Sequence, residues 1–515
     1  MPRPERVLTY LVVVFGRKDC ISMNSSNSTT DKTEKLKDTK ALAFQWDSMD
    51  WCKIENDVNR LQSRIAKATA DGEINRAKRL QYLLTHSFSA KAYAVRKVTT
   101  NQGKKTPGVD KKIWSTSASK MKAVLQLTDK QYRTKPLRRV YIEKKNGKKK
   151  RPLGIPTMYD RAMQTLYALA LEPIAETTAD TVSFGFRKGR SAKDAGEQIF
   201  CVLARKCAPK WIVEGDIKGC FDNINHEWLL ANIPMDKRIM RQFLKSGFIY
   251  QGNLFPTQTG SPQGGAISSI YANMTLDGLE KLIQDKYYRN SKGNIENHYR
   301  AKTKVNLVRY ADDFIITADS REIAEELKTL ISNFLQSRGL QLSEEKTAIT
   351  HIENGFDFLG WTFRKYKGKL IVKPSKESIK RMVRKLSDII LEENKASAQA
   401  DMIRRLNLVI RGWTNYHKHT VASKVFSNVN NTLYLLLQRW AKHRHPNKSS
   451  WWRLNKYWHS KGNKPWLFST NQNALINLRT IHIARHPNLQ ISKNPFLDQG
   501  YFNDRKRKIQ RINAA

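Results

Sequence analysis

The sequence predicts an α+β protein, in which short strands alternate with amphipathic helices. Two apolar segments with strand-like patterning, residues 137–156 and 305–317, each enclose a tight turn, which is typical of β-hairpins. Apolar residues recur at helical spacing over residues 46–97 and again from residue 376 onward. A chain of 515 residues, of which 40% are hydrophobic, is long enough to bury a core divided among several domains.

The charge balance indicates a polyanionic partner. Lys and Arg number 92 against 46 Asp and Glu, so the formal net charge is +46. A folded protein this basic repels itself unless a polyanion neutralises it. The composition therefore argues against most small-molecule metabolic enzymes and favours nucleic acid over an anionic membrane. The five cysteines are irregularly spaced and form no CxxC pair, which argues against a disulfide framework and a zinc site.

In the first half of the chain, residues 1–45 are expected to be a flexible N-terminus, with Met23 as a candidate start. The helical residues that follow have basic faces that are either solvated or turned toward RNA. The hairpin at 137–156 is expected to turn at Asn146-Gly147. The next helix begins near Asp160 and is predicted to end at Pro173, because proline cannot donate a helical hydrogen bond.

Acidic residues stand out in the centre of this basic chain. A hydrophobic strand, residues 211–216, ends on Asp216, and the hairpin at 305–317 carries Asp312 and Asp313 at its tip. Asp is disfavoured in strands, although ordinary turn chemistry also explains acids at a tip. If the two strands are neighbours, their carboxylates converge at one edge and offer the oxygen ligands that Mg²⁺ prefers. Two such ions can activate a 3′-hydroxyl for nucleotidyl transfer.

An ordered set of motifs then matches one family. Residues 310–313 (YADD) resemble the YxDD box of reverse transcriptases, and residues 260–265 (GSPQGG) resemble a box typical of group II intron reverse transcriptases. The other motifs are similar to those of the same family and occur in the same order, namely residues 151–156, 183–187, 342–347, 358–361 and 411–417. The chain thus resembles a group II intron-encoded protein, a reverse transcriptase with maturase activity.

This resemblance implies a right-hand polymerase, with fingers, a palm whose antiparallel sheet carries the YADD hairpin, a helical thumb or maturase domain, and a basic C-terminal region. The expected domain boundaries are 1–45 for the N-terminus, 46–110 for a helical extension, 111–210 for the fingers, 211–373 for the palm, 374–433 for the thumb and 434–515 for a DNA-binding region.

By the same resemblance, Asp216 and Asp312 bind two Mg²⁺ ions together with the backbone carbonyl of Ile217, and Asp313 completes the catalytic carboxylates. Adjacent strand residues point to opposite faces, so Asp312 and Asp313 are equivalent only if the turn redirects one of them. We therefore expect Asp312 to be the bridging ligand and Asp313 to support it.

The resemblance also implies a dNTP site, formed by Lys144, Arg151, Phe221 and Gln263. Arg can clamp a triphosphate in bidentate fashion, although a generic RNA-facing patch explains any single lysine of this hairpin nearly as well. Phe221 lies where the family places an aromatic ring that excludes a 2′-hydroxyl; ordinary core packing is the alternative. The glycines beside Gln263 would let the backbone approach the template base pair closely.

Further contacts to nucleic acid follow from the resemblance. Residues Leu359, Gly360 and Trp361 correspond to a primer grip, with a core position as the alternative for Trp361. Four more residues are expected to lie against nucleic acid, namely Lys346, Arg411, Trp413 and Tyr416. For Trp413 and Tyr416, a role as core anchors is the stronger reading.

The C-terminal region combines 16 Lys and Arg with several tryptophans against only two acids, Asp498 and Asp504. We expect a DNA-binding region with folded parts. His482 and His486 have helical metal-site spacing, but no cysteine and no nearby carboxylate completes a ligand set, so solvated or core histidines are expected. An HNH endonuclease, which many longer relatives carry after a segment like residues 494–497, is expected to be absent.

The function expected from these features has two parts. The protein extends a DNA 3′-end on an RNA template with dNTPs, and it binds its own intron RNA as a ribonucleoprotein to promote splicing and retrohoming. The alternatives are a splicing-only maturase and a domesticated reverse transcriptase in DNA repair or defence. The expected location is the bacterial cytoplasm at the nucleoid, or else an organelle, with no membrane association; the oligomeric state and the host stay open.

Overall fold

In the computed structural model, the described residues are 30–143, 150–262, 264–289, 293–294, 303–461 and 464–514. The helices are α1 (Thr30–Asp47), α2 (Trp51–Ala70), α3 (Ile74–His86), α4 (Phe88–Thr100), α5 (Ser117–Gln126), α6 (Met158–Thr178), α7 (Ala192–Leu203), α8 (Cys220–Asn223), α9 (His226–Asn232), α10 (Lys237–Leu244), α11 (Ser268–Leu276), α12 (Leu279–Tyr287), α13 (Arg321–Gln336), α14 (Lys376–Ser387), α15 (Gln399–His417), α16 (Ser423–Arg444), α17 (Ser450–Tyr457) and α18 (Gln499–Ala514). The strands are β1 (Leu137–Glu143), β2 (Lys150–Ile155), β3 (Trp211–Asp216), β4 (Phe248–Tyr250), β5 (Asn253–Phe255), β6 (Asn306–Tyr310), β7 (Asp313–Ala318), β8 (Ala348–His351), β9 (Phe356–Phe358), β10 (Trp361–Tyr366), β11 (Lys369–Pro374), β12 (Trp458–Lys461) and β13 (Lys464–Phe468). The predicted mixture of helix and sheet is confirmed.

Helices α1–α6 form the N-terminal layer, and the prediction of a flexible segment up to residue 45 is wrong from Thr30 onward, where α1 begins. Its last turn is fixed by packing, because Trp46 is buried and meets the ring of Trp51 edge-on at 4.8 Å. The Oγ atom of Ser117 at the start of α5 donates a hydrogen bond of 2.8 Å to Asp47. These contacts tie α1 to the helices that follow.

Helix α6 continues five residues beyond Pro173, so the prediction that it ends there is wrong. Proline at this position leaves the carbonyl of Leu169 without its helical donor. The buried side-chain amide of Gln62, on α2, supplies that donor at 2.7 Å. A contact between residues 107 positions apart therefore stabilises the helix at its proline.

Substitution Gln62→Leu should lower the free energy of unfolding by about 1–3 kcal/mol, because it leaves the Leu169 carbonyl buried without a donor. Urea denaturation followed by circular dichroism measures this loss. In a Pro173→Ala background the new backbone N–H can bond to Leu169, so the same substitution should cost clearly less. An equal loss in both backgrounds would contradict this role of Gln62.

Two sheets stand side by side behind the helices. The first has the order β2-β1-β4-β5, and β1 and β2 form the predicted hairpin with Val140 opposite Leu153. Its predicted turn, Asn146-Gly147, lies outside the described residues. The second sheet has the order β6-β7-β3-β8 with antiparallel neighbours, and α13 packs on it. Pro234 lies between α9 and α10 and separates them.

The third sheet, β9-β10-β11, leads into the helical C-terminal half. Helices α14–α17 surround a separate hydrophobic core that includes Leu386, Leu406 and Trp440. A π-helical turn, Asp388–Glu393, follows α14. Across the described residues, no helix has the length and apolarity to cross a membrane.

The segment after residue 486 returns to the N-terminal half. Arg505 on α18 and His486 both bind the fully buried carboxylate of Asp194 on α7, the histidine at 2.8 Å. Phe496 is buried, and its carbonyl accepts a hydrogen bond of 2.8 Å from Ser63 on α2. The expectation that no carboxylate lies near His486 is therefore wrong. Asp194 is 292 residues away in sequence, but the fold brings it into contact with His486. His486 is a buried core histidine, as the same expectation allowed.

Candidate active site

An open cleft of about 1120 Å³ lies where the two larger sheets meet. Its walls include Asp216, Ile217, Asp312 and Asp313 at the end of the β3–β7 pair. Three further residues that the sequence pointed to line the same cleft, namely Arg151, Phe221 and Lys346. The fold thus brings seven of the candidate residues to one place, although they are spread over nearly 200 positions of sequence.

The register of the central sheet explains how the carboxylates meet. Strands β3 and β7 are antiparallel, and Asp216 lies directly opposite Asp313. Strand β6 ends at Tyr310, and the turn passes through Ala311, whose φ of +58° is left-handed. This turn redirects the chain, so that Asp312 and Asp313 both line the cleft instead of pointing to opposite faces.

The carboxylates have perturbed electrostatics. Burial, together with the charges of Asp312 and Asp216, raises the pKa of Asp313 to about 7. Burial and the charge of Asp216 also raise the pKa of Asp312. Negative charges held this close repel one another, and a bound cation relieves that repulsion. Among the described residues, no group of three or more His, Cys, Asp or Glu has the geometry of a metal site.

Lys346 offsets part of the negative charge of these carboxylates, because it pairs with Asp216. Its Nζ atom donates a hydrogen bond of 2.7 Å to Oδ2 of Asp216, and this bond raises the pKa of the lysine. The loop that carries Lys346 is fastened to the end of β3. The backbone N–H of Ser343 donates to the carbonyl of Asp216 at 2.8 Å, and Ile217 forms a bridge with Leu342.

Two glycines allow close packing around the carboxylates. A Cβ atom on Gly185 would lie 2.4 Å from the backbone nitrogen of Ala311, so only glycine lets residues 184–187 run directly beneath the YADD turn. A Cβ atom on Gly215 would lie 2.1 Å from the ring of Phe314, which lies across β3 at that position. Both glycines are therefore required by close approach of the main chain and the ring.

The loop at residues 260–265 is fastened beside Phe221. The N–H of Ser261 donates to the carbonyl of Phe221 at 2.7 Å, and the N–H of Gly260 donates to that of Ile224 at 2.8 Å. Phe221 is half-buried and lines the cleft. Two residues of the expected dNTP site, Lys144 and Gln263, lie outside the described residues.

The candidate nucleic-acid contacts outside the cleft are mostly packed. Leu359 and Gly360 form a left-handed turn, with φ of +50° and +84°, and Trp361 after it is fully buried. Its indole stacks on Tyr416 at 4.6 Å, so Trp361 is a core residue and its ring is not available to contact a primer. The Tyr416 hydroxyl donates to the Leu359 carbonyl at 2.8 Å.

Two other residues of this set differ in exposure. Trp413 is half-buried and donates through its indole N–H to Ser378 at 3.3 Å, which fits the core-anchor reading. Arg411 is exposed on α15. Arg411 is therefore more exposed than Trp361, Trp413 and Tyr416, and its guanidinium is open to a ligand.

Sequence reasoning missed Phe186 as a site residue. This residue lines the cleft, is 57% exposed and has a left-handed φ of +58°. Its motif was visible in the sequence, but no local pattern tells whether an aromatic ring in such a motif is buried or presented to a cleft.

Comparisons with known proteins agree with this arrangement. Residues 142–363 match the family described as reverse transcriptase (RNA-dependent DNA polymerase), and residues 46–127 match the N-terminal domain of reverse transcriptase. Residues 379–458 match the group II intron maturase-specific domain. Protein YkfC of Escherichia coli K12 is 31% identical over 337 residues, which cover 59% of this chain and 87% of YkfC. The group II intron-encoded protein LtrA of Lactococcus lactis is 36% identical over 343 residues.

The chain belongs to the group II intron-encoded protein family.

Relatives of this family differ in how much they share with the chain. The match to LtrA covers 55% of this chain and 56% of LtrA, so the chain spans about half the length of that relative. Maturase-like protein 1 of Euglena gracilis is 25% identical and is covered over 77% of its length. A solved telomerase structure from Candida albicans covers 64% of the chain and 65% of its own, with a TM-score of 0.35 and 13% identity, a likeness too weak to support an argument.

Proposed function

We propose that this group II intron-encoded protein is an RNA-directed DNA polymerase that also binds its intron RNA to promote splicing and retrohoming. The observation that carries the polymerase part is the meeting of Asp216, Asp312 and Asp313 in one open cleft. In a chain with a net charge of +46, three acids converging at one point require a specific reason. Nucleotidyl transfer on a polyanionic template supplies one.

The proposed architecture is a right hand. The hairpin β1–β2 belongs to the fingers, the sheet β6-β7-β3-β8 belongs to the palm, and α14, α15 and the first half of α16 belong to the thumb. The expected boundaries, 46–110, 111–210, 211–373, 374–433 and 434–515, serve as the proposed domains. The thumb shares a separate core with the residues that follow it as far as Leu478, which supports a C-terminal unit distinct from the palm.

The carboxylates fit two Mg²⁺ ions by chemistry, because they are hard oxygen ligands, and burial together with mutual repulsion raises the pKa values of Asp312 and Asp313. Asp216 and Asp312 would hold the ions, with the Ile217 carbonyl and Asp313 in support. When bound, Mg²⁺ activates the primer 3′-hydroxyl and stabilises charge on the leaving pyrophosphate. Lys346 pairs with Asp216 and would have to release this carboxylate for it to hold an ion.

Binding of Mg²⁺ to the free protein should raise its melting temperature, because the cation stabilises only the folded carboxylate cluster. Differential scanning fluorimetry with and without Mg²⁺ measures the shift. The Asp312→Asn variant should show little or no shift. An equal shift in this variant would place the cation elsewhere.

The other residues of the cleft bind and select the nucleotide. Arg151 lies at the rim, where its guanidinium can pair with triphosphate oxygens. The half-buried ring of Phe221 forms the floor on which the sugar lies. Lys144 and Gln263 are proposed as further contacts on grounds of their motifs.

Substitution Phe221→Val should raise incorporation of ribonucleotides relative to deoxyribonucleotides by about tenfold or more, since a smaller side chain leaves room for the 2′-hydroxyl. Single-nucleotide primer extension with dNTP and rNTP series measures the ratio. Substitution of Tyr82, an exposed aromatic residue on α3 outside the cleft, serves as the control. Unchanged sugar discrimination would remove Phe221 from this role.

RNA and DNA binding are proposed for the outer surfaces. The match to the maturase-specific domain and the exposed Arg411 support a role of the thumb in holding intron RNA. Trp451 and Trp466 are exposed with their rings 6.0 Å apart in a basic region, which supports stacking on target DNA. Binding should weaken steeply with salt, as expected for phosphate contacts.

The decisive experiment is primer extension with Mg²⁺ on an RNA template, run beside a splicing assay with the flanking intron RNA. We expect template-length cDNA and stimulated splicing. Absence of cDNA from folded, RNA-bound protein would overturn the polymerase and leave a splicing-only maturase.

A further inference from the structure

Phe186 has an unfavourable backbone conformation, and its apolar ring is exposed to solvent. Its φ of +58° is left-handed, a conformation that bulky residues rarely adopt, and 57% of its surface is exposed. Glycine or asparagine would relieve both problems at this position. A strained aromatic side chain that is presented to a cleft indicates a function.

The flanking residues force this conformation. Gly185 is held beneath the YADD turn, and its carbonyl accepts a hydrogen bond of 2.8 Å from Asn273. Arg187 is buried and binds both carboxylate oxygens of Glu176, at 2.8 and 2.6 Å. With the chain fixed on both sides, the ring between them can only project into the cleft.

The ring of Phe186 meets the ring of Phe221. Their centroids are 6.3 Å apart with an interplanar angle of 77°, an edge-to-face arrangement that aromatic pairs prefer. Both residues line the same cleft as Asp216 and Asp312. Phe186 therefore packs against Phe221 from the cleft side, while the core holds Phe221 from behind.

We propose that Phe186 is a positioning residue for sugar selection, which holds the Phe221 ring in place beneath the incoming nucleotide. This inference rests on the proposed polymerase function. Without Phe186, the Phe221 ring gains freedom to tilt away, and a 2′-hydroxyl then fits. The strained backbone at residue 186 is retained because it keeps the Phe221 ring rigidly in position.

The test measures discrimination between dNTP and rNTP by the variants Phe186→Ala, Phe221→Ala and the double variant. Phe186→Ala should reduce selectivity about three- to tenfold, the worth of one edge-to-face pair. The double variant should be no less selective than Phe221→Ala alone, because Phe186 acts through Phe221. If the losses of selectivity in the two single variants add up in the double variant, Phe186 acts through a separate contact and the proposal is overturned.

A second variant separates this role from plain structural support. Phe186→Gly should unfold at a higher temperature than the parent, because glycine relieves the left-handed strain, and should still lose selectivity. Higher stability with unchanged selectivity would overturn the proposal. Selectivity unchanged in an active Phe186→Ala enzyme would also overturn it while leaving the polymerase intact, whereas an inactive parent enzyme would refute the proposed function itself.

Discussion

Replacing Asp312 and Asp313 together by Asn should reduce cDNA synthesis by about three orders of magnitude or more, because the cleft then lacks the charges that hold catalytic cations. The variant should remain folded and at least as stable as the parent. Burial raises the pKa values of both carboxyls, so their charged forms are unfavourable in the fold and a neutral amide is not. Primer extension under single-turnover conditions measures the rate.

The same variant should still stimulate splicing of the intron RNA, since RNA binding is proposed for other surfaces. An Asp504→Asn variant, in which an exposed acid on α18 is neutralised, controls for the general effect of added positive charge. Loss of splicing together with cDNA synthesis would contradict the division of the two roles. Retained cDNA synthesis would remove both carboxylates from catalysis.

Substitution Gly185→Ala should reduce the rate of nucleotide addition by about a hundredfold, the cost of displacing a catalytic group by roughly 1 Å. The added methyl group would lie 2.4 Å from the nitrogen of Ala311 and 2.9 Å from the carbonyl carbon of Tyr310. Backbone atoms cannot rotate away, so the YADD turn must move. The loss should appear in kcat, with the affinity for primer and template largely kept.

The matched control is Gly500→Ala on α18, where an added methyl group meets no heavy atom within 4 Å. This variant should keep full activity and become slightly more stable, because alanine is the better helix former. Normal activity in Gly185→Ala would mean that the turn tolerates displacement, and the close approach of residue 185 would then have no catalytic meaning.

The arrangement of the acids could be predicted from the sequence because it depends on local patterns. A strand that ends on Asp216 and a hairpin with Asp312 at its tip are both readable within a dozen residues. Their meeting followed from assuming neighbouring strands, and β3 does pair with β7. The redirection of Asp312 by Ala311 required the left-handed turn itself.

The features that the sequence missed or left open depend on partners far away in sequence. Pro173 lies inside α6 because Gln62 replaces its missing donor. His486 is buried because Asp194 comes to it from the other half of the chain. Trp361 is a core residue because Tyr416, from the next domain, covers its ring. No pattern within one segment contains these pairs.

The way the proposed thumb is attached bears on how the proposed polymerase would move along its template. Its base is joined to the proposed palm by the stack of Trp361 on Tyr416 and to α7 by the hydrogen bond of 2.6 Å from Lys193 to Asn415, and α18 also returns to α7. A clamp that is preorganised in this way loses little conformational entropy when a duplex enters. Affinity gained by preorganisation appears mainly as slow dissociation. For the proposed polymerase we therefore expect many nucleotides to be added per encounter, and cDNA products that stay long even when the protein is scarce.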